Sequence, residues 1–251
     1  LALVEAVLEP LPPLLDAAEA LREGAPVLHP DHPGGNVLLE GRLVTGEGAG
    51  AEAGCDAVVE VLFETPRQEH ACLETAAGWA VAAPDGAVEV TCSTQTPWRD
   101  RAETAEALGL DPSRLRVVAP YLGGGFGSKD GITVQSLLAL AALHSGHRPV
   151  RMRWGREESI VAGTKRHAGR MAVKLGAAPD GTLRFASADV LLDTGPYDHL
   201  GGAVLELALE HATGPYRVPN AVVTGKAVYT DNPIGGAFRG FGVTQVTAAV
   251  E

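Results

Sequence analysis

The chain has 251 residues, of which 45% are hydrophobic and 20% are charged, a composition typical of soluble globular proteins. Its formal net charge of −11, with no basic cluster to offset it, argues against nucleic acid or an anionic membrane surface as a partner. No apolar run reaches the roughly 20 residues of a membrane-spanning helix.

The N-terminal segment Leu1–Pro10 lacks a basic region and carries two glutamates, which is not typical of a secretion signal. It also lacks an initiating methionine, so we expect the numbering to begin inside a longer chain. Cys55, Cys72 and Cys92 are odd in number and widely spaced, which predicts no disulfide framework, zinc ribbon or iron–sulfur ligand set. These features favour a reducing, cytoplasmic setting.

The first quarter of the chain has the pattern of the end of one unit and a connection to the next. Pro12-Pro13 is predicted to begin an amphipathic helix, with Leu14, Leu15, Ala18 and Leu21 on one face. The glycines at 46, 48, 50 and 54 predict a flexible linker. Because one helix and one strand cannot bury a core, residues 1–45 are predicted to be the tail of a preceding domain plus linker, and residues 46–251 a second domain.

From Asp56 onward, strands and helices are mixed without strict alternation, which favours an α+β fold with mixed sheets and packed helices. Asp180-Gly181 lies between two alternating segments and predicts a hairpin turn. Thr96 is predicted to cap a helix that Gly109 ends. Strands are predicted at 57–64, 88–92, 115–119, 150–154, 171–174, 183–192 and 221–229, and helices at 97–108, 132–144 and 201–211.

The loop from Gly123 to Asp130 carries four glycines in five positions, interrupted by Phe126. A strand, such a loop and a helix bring backbone N–H groups together around an anionic or oxo-rich ligand. Ser128 separates Gly127 from Lys129, which breaks the phosphate-loop pattern, and it also replaces the third glycine of a dinucleotide fingerprint. A cofactor or anion site and a plain tight turn therefore both remain open, with nucleotide binding as a weaker third interpretation.

Two further segments place polar groups beside flexible backbone. Gln95, at the end of a predicted strand, has both donor and acceptor atoms that can point into a site. Arg239 lies between two aromatic residues, with Gly240 and Gly242 nearby, and suits contact with an anion or a planar ring. Taken alone, each segment is better explained by a structural role, Gln95 as a polar residue at a helix start and Arg239 as a surface arginine beside a buried phenylalanine.

In this order along the chain, the segments STQTPWR, LGGGFGSKD and AFRGFGVTQ resemble the large, molybdenum-cofactor subunit of the xanthine dehydrogenase/aldehyde oxidase family of molybdenum hydroxylases. The segments TPRQEHACLETAAGWA, GTKRHAGRM and YRVPNAVVTGKAVYTDNP support it. The resemblance covers Asp56–Glu251, the first cofactor-binding domain of that subunit. Leu8–Leu39 resembles the end of the α/β hammerhead-like domain that precedes it.

The resemblance implies an enzyme that inserts a water-derived oxygen into a C–H bond of an aldehyde or an N-heterocycle. It implies a molybdenum–molybdopterin cofactor, with the cytosine dinucleotide as one form, whose dithiolene rather than a protein side chain holds the metal. It further implies an oligomer with iron–sulfur and FAD subunits or domains as partners, outside this chain, and a small-molecule substrate.

By the same resemblance, the cofactor-binding residues are Gln95, Gly125, Phe126, Gly127 and Arg239. Gln95 would hydrogen-bond an oxo group on molybdenum, and the main chain at Phe126, Gly127 and Arg239 would lie against the cofactor. Gln95, Phe126 and Arg239 would thus form the molybdenum environment without being direct ligands. The substrate residues would be Asp130, Leu207 and Phe241, with Phe241 stacked on a flat substrate ring.

The chain departs from the xanthine-type members at two of these positions. Asp130 replaces a glutamate, and Leu207 replaces an arginine. Losing a charge-assisted contact in a closed site costs roughly 1.5–3 kcal/mol, so a polar purine edge loses its anchor. We therefore expect an aldehyde or an apolar or aromatic heterocycle as substrate, rather than xanthine.

The family's general base is a glutamate in a second cofactor domain, and no segment up to Glu251 resembles that domain. The isolated chain is therefore expected to lack hydroxylase activity and to hold little or no molybdenum. The alternative function is a non-catalytic binding or assembly module that retains the fold. Lys165, Arg166 and His167 are interpreted as a solvated basic loop, although the resemblance also suggests a contact of His167 with the pterin pyrophosphate.

Overall fold

The computed structural model describes residues 6–251, so Leu1–Glu5 of the segment analysed for a secretion signal lie outside it. Within these residues the strands and helices are mixed, which confirms the predicted α+β class. None of the described helices is both long and apolar enough to cross a membrane. The strands are β1 Val37–Thr45, β2 Ala57–Thr65, β3 Ala77–Ala82, β4 Val88–Cys92, β5 Leu115–Val118, β6 Val150–Arg153, β7 Ala168–Ala177, β8 Leu183–Gly195 and β9 Asn220–Tyr229; the helices are α1 Pro97–Leu108, α2 Gln135–Leu143, α3 Arg156–Ala162, α4 Gly201–Glu210 and α5 Val243–Val250.

The larger sheet has five strands in the order β1-β9-β8-β7-β2. Only the β8–β9 pair is parallel, and β7 and β8 form the hairpin predicted at Asp180-Gly181. Inward residues of β8 alternate with outward ones, so one face of the sheet packs against α4 and α5. Leu192, Leu205 and Val246 are fully buried in this core.

The smaller sheet has four strands in the order β5-β4-β3-β6, covered by α1 and α2. Its core includes Val90 and Leu138. The chain leaves β4, forms α1 and returns as β5, which pairs in parallel with β4. Because parallel strands end at the same edge of a sheet, the segment after β4 and the loop after β5 meet there. This edge brings Gln95 and Gly123 to the same place.

The N-terminal part differs from its prediction. The helix expected from Pro12 is reduced to one 3-10 turn, Glu19–Leu21, since Leu14 instead bonds through its N–H to Asp231, 2.7 Å away. The expected linker contains a 3-10 helix, Gly48–Gly54, anchored by the Glu52–Lys174 ion pair of 3.1 Å. β1 lies within residues 1–45 and is hydrogen-bonded along β9. The division after residue 45 stays a prediction, but β1 is part of the larger sheet.

Candidate active site

The side chain of Gln95 rests directly on the glycine loop. Its Oε1 accepts a hydrogen bond of 2.9 Å from the Gly127 N–H, and its main-chain N–H donates to the Lys129 carbonyl at 2.8 Å. A Cβ at Gly125 would collide with Gln95 Oε1, so glycine is required for this approach. Gln95 is an exposed residue, and with Oε1 engaged its amide nitrogen Nε2 has no acceptor among residues 6–251 and is available as a donor.

The glycine loop also touches the segment that carries Arg239. The Arg239 N–H donates to the Phe126 carbonyl at 3.0 Å. Gly127 has a φ of +107°, and a Cβ there would collide with the Ala237 carbonyl oxygen. Phe126 itself has a φ of +54°, an uncommon conformation for a bulky residue, and its side chain is 50% exposed. The structure thus brings together all five residues predicted to bind the cofactor: Gln95, Gly125, Phe126, Gly127 and Arg239.

Glu74 bonds to the glycine loop near both of its ends, at Gly123 and at Lys129. One carboxylate oxygen lies 3.0 Å from Lys129 Nζ, and the other accepts from the Gly123 N–H at 2.7 Å. The Cys72 thiol donates to the Gly125 carbonyl at 3.1 Å. The Lys129 side chain is only 2% exposed, so this cation is internal to the loop and does not face a ligand. The sequence motifs had not predicted any of these supports.

A buried acid lies beneath Gln95. The Thr96 hydroxyl donates to Asp100 at 3.1 Å and accepts from the Gly131 N–H at 3.0 Å. The Gln135 amide donates to the second Asp100 oxygen at 2.7 Å. The predicted cap is therefore wrong, because the Thr96 side chain bonds none of the N–H groups of α1 and instead ties the helix start to the end of the glycine loop. Burial raises the pKa of Asp100.

The segment 165–167 is buried, so its interpretation as a solvated loop is wrong. Lys165 pairs with Glu69 at 2.8 Å, Arg166 is 6% exposed, and His167 is 1% exposed. Burial lowers the pKa of His167 to about 4. The residues are enclosed because the Lys165 main chain pairs with the chain at Ile234–Gly236.

Three histidines contact the chain just before Arg239. Each has a pKa lowered by burial, and each has a buried Nδ1 with no hydrogen-bond partner among the described residues. This part of the chain, Gly235–Phe238, is therefore enclosed by neutral imidazoles. His70 stacks on Phe238, with the ring centroids 4.2 Å apart. His167 lies so close to Gly235 that a Cβ atom on that glycine would come within 2.6 Å of the imidazole, and His199 lies so close to Gly236 that a Cβ atom there would come within 3.0 Å.

The three predicted substrate residues have different surroundings. Asp130 lies 3.3 Å from Arg99, which also pairs with Glu103. Leu207 is partly buried on α4, and Phe241, with a φ of +42°, packs against the core of the larger sheet. Their roles stay predictions. Arg99 was missed because nothing in its local sequence shows that it reaches Asp130, 31 positions away.

Among residues 6–251, no three His, Cys, Asp or Glu side chains are grouped so that they could hold a metal ion. What the edge of the smaller sheet offers instead is one amide donor, Gln95 Nε2, and main chain stripped of Cβ atoms at Gly125 and Gly127. This arrangement suits a group that brings its own metal ligands and needs hydrogen bonds and close backbone contact from the protein.

Comparison with known proteins gives the same family as the motifs. The family model for the molybdopterin cofactor-binding domain matches residues 28–251. The chain is 40% identical to a probable xanthine dehydrogenase subunit of Bacillus subtilis (95% of this chain, 32% of the relative). It is also 40% identical to the nicotinate dehydrogenase large molybdopterin subunit of Eubacterium barkeri (97% and 56%).

A solved structure, the aldehyde oxidoreductase of Desulfovibrio gigas, superposes with a TM-score of 0.89 at 34% identity, over 97% of this chain and 27% of that one. The chain thus spans from about a quarter to little more than half of the length of these relatives. The similarity extends over nearly the whole chain, including the glycine loop and the segments of Gln95 and Arg239. This chain therefore belongs to the xanthine dehydrogenase/aldehyde oxidase family, as a molybdopterin cofactor-binding domain.

Proposed function

We propose that this chain forms one wall of the molybdenum–molybdopterin site of a hydroxylase that oxidises an aldehyde or an N-heterocycle, with water as the oxygen source. The observation that supports it most is the joint placement of Gln95, the Phe126–Gly127 main chain and Arg239 at one sheet edge. The family of the chain supports the cofactor class.

The residues fit such a group. Both amide hydrogens of Gln95 Nε2 are free to donate, since Oε1 is held by the Gly127 N–H. The absent Cβ atoms at Gly125 and Gly127 keep the loop thin enough to pack tightly against its neighbours. The Arg239 main chain is held by Phe126, so the two segments present a continuous backbone surface.

When bound, the cofactor supplies the two-electron oxidation of the substrate carbon. The chain's own contribution is orientation. Gln95 Nε2 would donate a hydrogen bond to an acceptor of the cofactor, and the preorganised main chain of Phe126, Gly127 and Arg239 would set its position. By resemblance to the family, the general base would be a glutamate of a second cofactor domain, which residues 6–251 do not resemble, so we expect the isolated chain to be inactive.

Substrate choice follows from two side chains. One carboxylate oxygen of Asp130 is paired with Arg99, which reduces its availability to a purine, and Leu207 presents an apolar group. Together they favour an aldehyde or an apolar or aromatic heterocycle over xanthine. Leu207→Arg is expected to raise kcat/KM for xanthine by about tenfold or more. An unchanged kcat/KM for xanthine in steady-state assays would show that Leu207 does not contact the substrate.

The remaining assignments are proposed by resemblance to the same family. The cofactor would be the molybdenum–molybdopterin, with the cytosine dinucleotide as one form, and iron–sulfur and FAD subunits or domains of a cytoplasmic oligomer would accept the electrons. Residues 46–251 would contribute the cofactor contacts, with the second cofactor domain supplied from outside them.

The test compares the protein purified in its native assembly with a Gln95→Glu variant. Glutamate keeps the size but replaces the Nε2 donor by a second acceptor. We expect oxidation of aldehydes or N-heterocycles to fall by about 10²-fold, as when one preorganised donor is lost. Because Gln95 is exposed, thermal unfolding should move little.

A second measurement asks whether this chain holds the cofactor without the rest of the assembly. Metal analysis of the isolated chain is expected to find little or no molybdenum, and the native assembly about one per chain. A Gln95→Glu variant as active as the wild type would show that Gln95 takes no part in the mechanism. An isolated chain that holds a full complement of molybdenum would show that it needs no second cofactor domain to bind the cofactor.

A further inference from the structure

Arg166 joins three separate parts of the chain at the base of the Arg239 segment. Its Nε donates to Gln68 Oε1 at 2.8 Å, and its Nη1 to Gln245 Oε1 at 3.2 Å. Its Nη2 donates to the Arg239 carbonyl at 3.1 Å. One side chain therefore connects the segment before β3, helix α5 and the predicted cofactor contact.

Arg166 also holds the neighbour of Arg239. Its guanidinium carbon lies 3.8 Å from the centroid of the Phe238 ring, a cation–π distance. The same ring stacks on His70, whose Nε2 lies 2.7 Å from the Ala237 carbonyl. Side chains therefore contact each residue from Ala237 to Arg239: His70 contacts Ala237 and Phe238, and Arg166 contacts Phe238 and Arg239.

The charge environment of Arg166 is unusual. The side chain is almost completely buried, and no carboxylate within residues 6–251 forms an ion pair with it. Its partners are two neutral amides, one carbonyl and one ring. A buried cation without a counter-charge is destabilising unless its hydrogen bonds are fully satisfied. The guanidinium is the side chain that satisfies three acceptors lying in different directions, whereas a lysine has a single nitrogen.

The position of Arg239 is fixed from both sides. Its N–H is bound to the Phe126 carbonyl, and its own carbonyl is bound to Arg166. Rotation of the Arg239 backbone would break one of these bonds. We infer that Arg166 is a positioning residue, which holds the Arg239 main chain against the Phe126 loop and so sets the shape of the cofactor wall. This inference rests on the proposed function for its consequence in catalysis.

The test uses hydrogen exchange and the molybdenum electron paramagnetic resonance spectrum, both measured on the native assembly. We expect Arg166→Met and Arg166→Lys to speed amide exchange at Arg239 by about tenfold or more, the effect of losing a hydrogen bond to a charged group. Exchange in the central strand, for example at Val190, should stay at the wild-type rate, because a general loss of stability would raise it everywhere. Arg170→Met is the matched control, since that arginine is 44% exposed and should leave Arg239 unchanged.

In the loaded enzyme, both Arg166 variants should also alter the molybdenum electron paramagnetic resonance spectrum, which Arg170→Met should not. Wild-type exchange at Arg239 in either Arg166 variant would overturn the inference, because each variant loses the guanidinium that bonds three separate acceptors. Should Arg166→Met fail to fold, Arg166→Lys, which keeps the cation and most of the volume, carries the test. The exchange measurement needs no cofactor. A wild-type assembly without molybdenum would therefore refute the proposed function, while the exchange rate at Arg239 would still test the positioning role of Arg166.

Discussion

Acidification should weaken the fold through His167. Its Nε2 lies 3.3 Å from Thr194 Oγ1, and its Nδ1 is among the buried atoms without a partner in residues 6–251. Burial lowers the pKa of His167 from an ordinary 6.5 to about 4, against a smaller opposite effect of Asp193. Above pH 6.5 the ring is neutral in both the folded and the unfolded state. As the pH falls from 6.5 to 4, only the unfolded state takes up the proton, so the free energy of unfolding decreases.

The size of the effect follows from that pKa difference. At 1.36 kcal/mol per pH unit, the interval from 6.5 to about 4 corresponds to about 3 kcal/mol of unfolding free energy. This is a large share of the ~5–15 kcal/mol that stabilises a typical domain. His70 and His199 act in the same direction, because burial lowers the pKa of both.

Urea unfolding at pH 7 and at pH 4.5 measures the loss, with His167→Gln as the variant that cannot titrate. The variant should be less stable than the wild type at pH 7, since it leaves a poorly filled site. Its stability should then fall by about 2 kcal/mol less than that of the wild type between the two pH values. His144→Gln, at an exposed position, should follow the wild type. An equal fall for His167→Gln and the wild type would show that protonation of His167 does not cause the loss of stability.

Two further predictions concern the support of the glycine loop. Gly127→Ala should lower the unfolding free energy by about 1–3 kcal/mol more than Gly109→Ala, because both glycines have positive φ but only the first would collide with neighbouring backbone; equal losses in urea unfolding would contradict the collision. Glu74→Gln should destabilise by about 3 kcal/mol and Lys129→Met by about 1 kcal/mol or less, because the first change leaves a buried cation unpaired, whereas the Glu74 side chain is 34% exposed and can be hydrated. A larger loss for Lys129→Met in the same experiment would show that the cation is not the costly partner.

Much of the fold could be predicted where the signal is local. The alternating apolar residues of β8 and the Asp180-Gly181 turn specify their hairpin, and Pro97 and Gly109 delimit α1. The place of β1 could not be predicted in this way, because its partners in β9 lie 176 to 191 positions later, from Thr45 with Ala221 to Val37 with Val228. The 3-10 helix within the expected linker could not be predicted for a related reason, since glycine content does not reveal the ion pair that anchors Gly48–Gly54.

The candidate site also contains some residues that local motifs predict and others that depend on distant contacts. Gln95, the glycine loop and Arg239 stand in recognisable short motifs, and the structure brings them into contact. Arg99 and Arg166 could not be predicted, because their importance depends on acceptors distant in the chain and on burial that only packing creates. The tract Lys165–His167 shows the limit most clearly, since three basic residues in a row look solvated and are instead enclosed.

The most direct measurement is to locate the metal. Anomalous diffraction at the molybdenum absorption edge, from crystals of the native assembly, gives the metal position without reference to activity. We expect a peak beside Gln95 Nε2, next to the main chain of Phe126, Gly127 and Arg239. A molybdenum peak away from these residues, or an assembly that contains none, would contradict it.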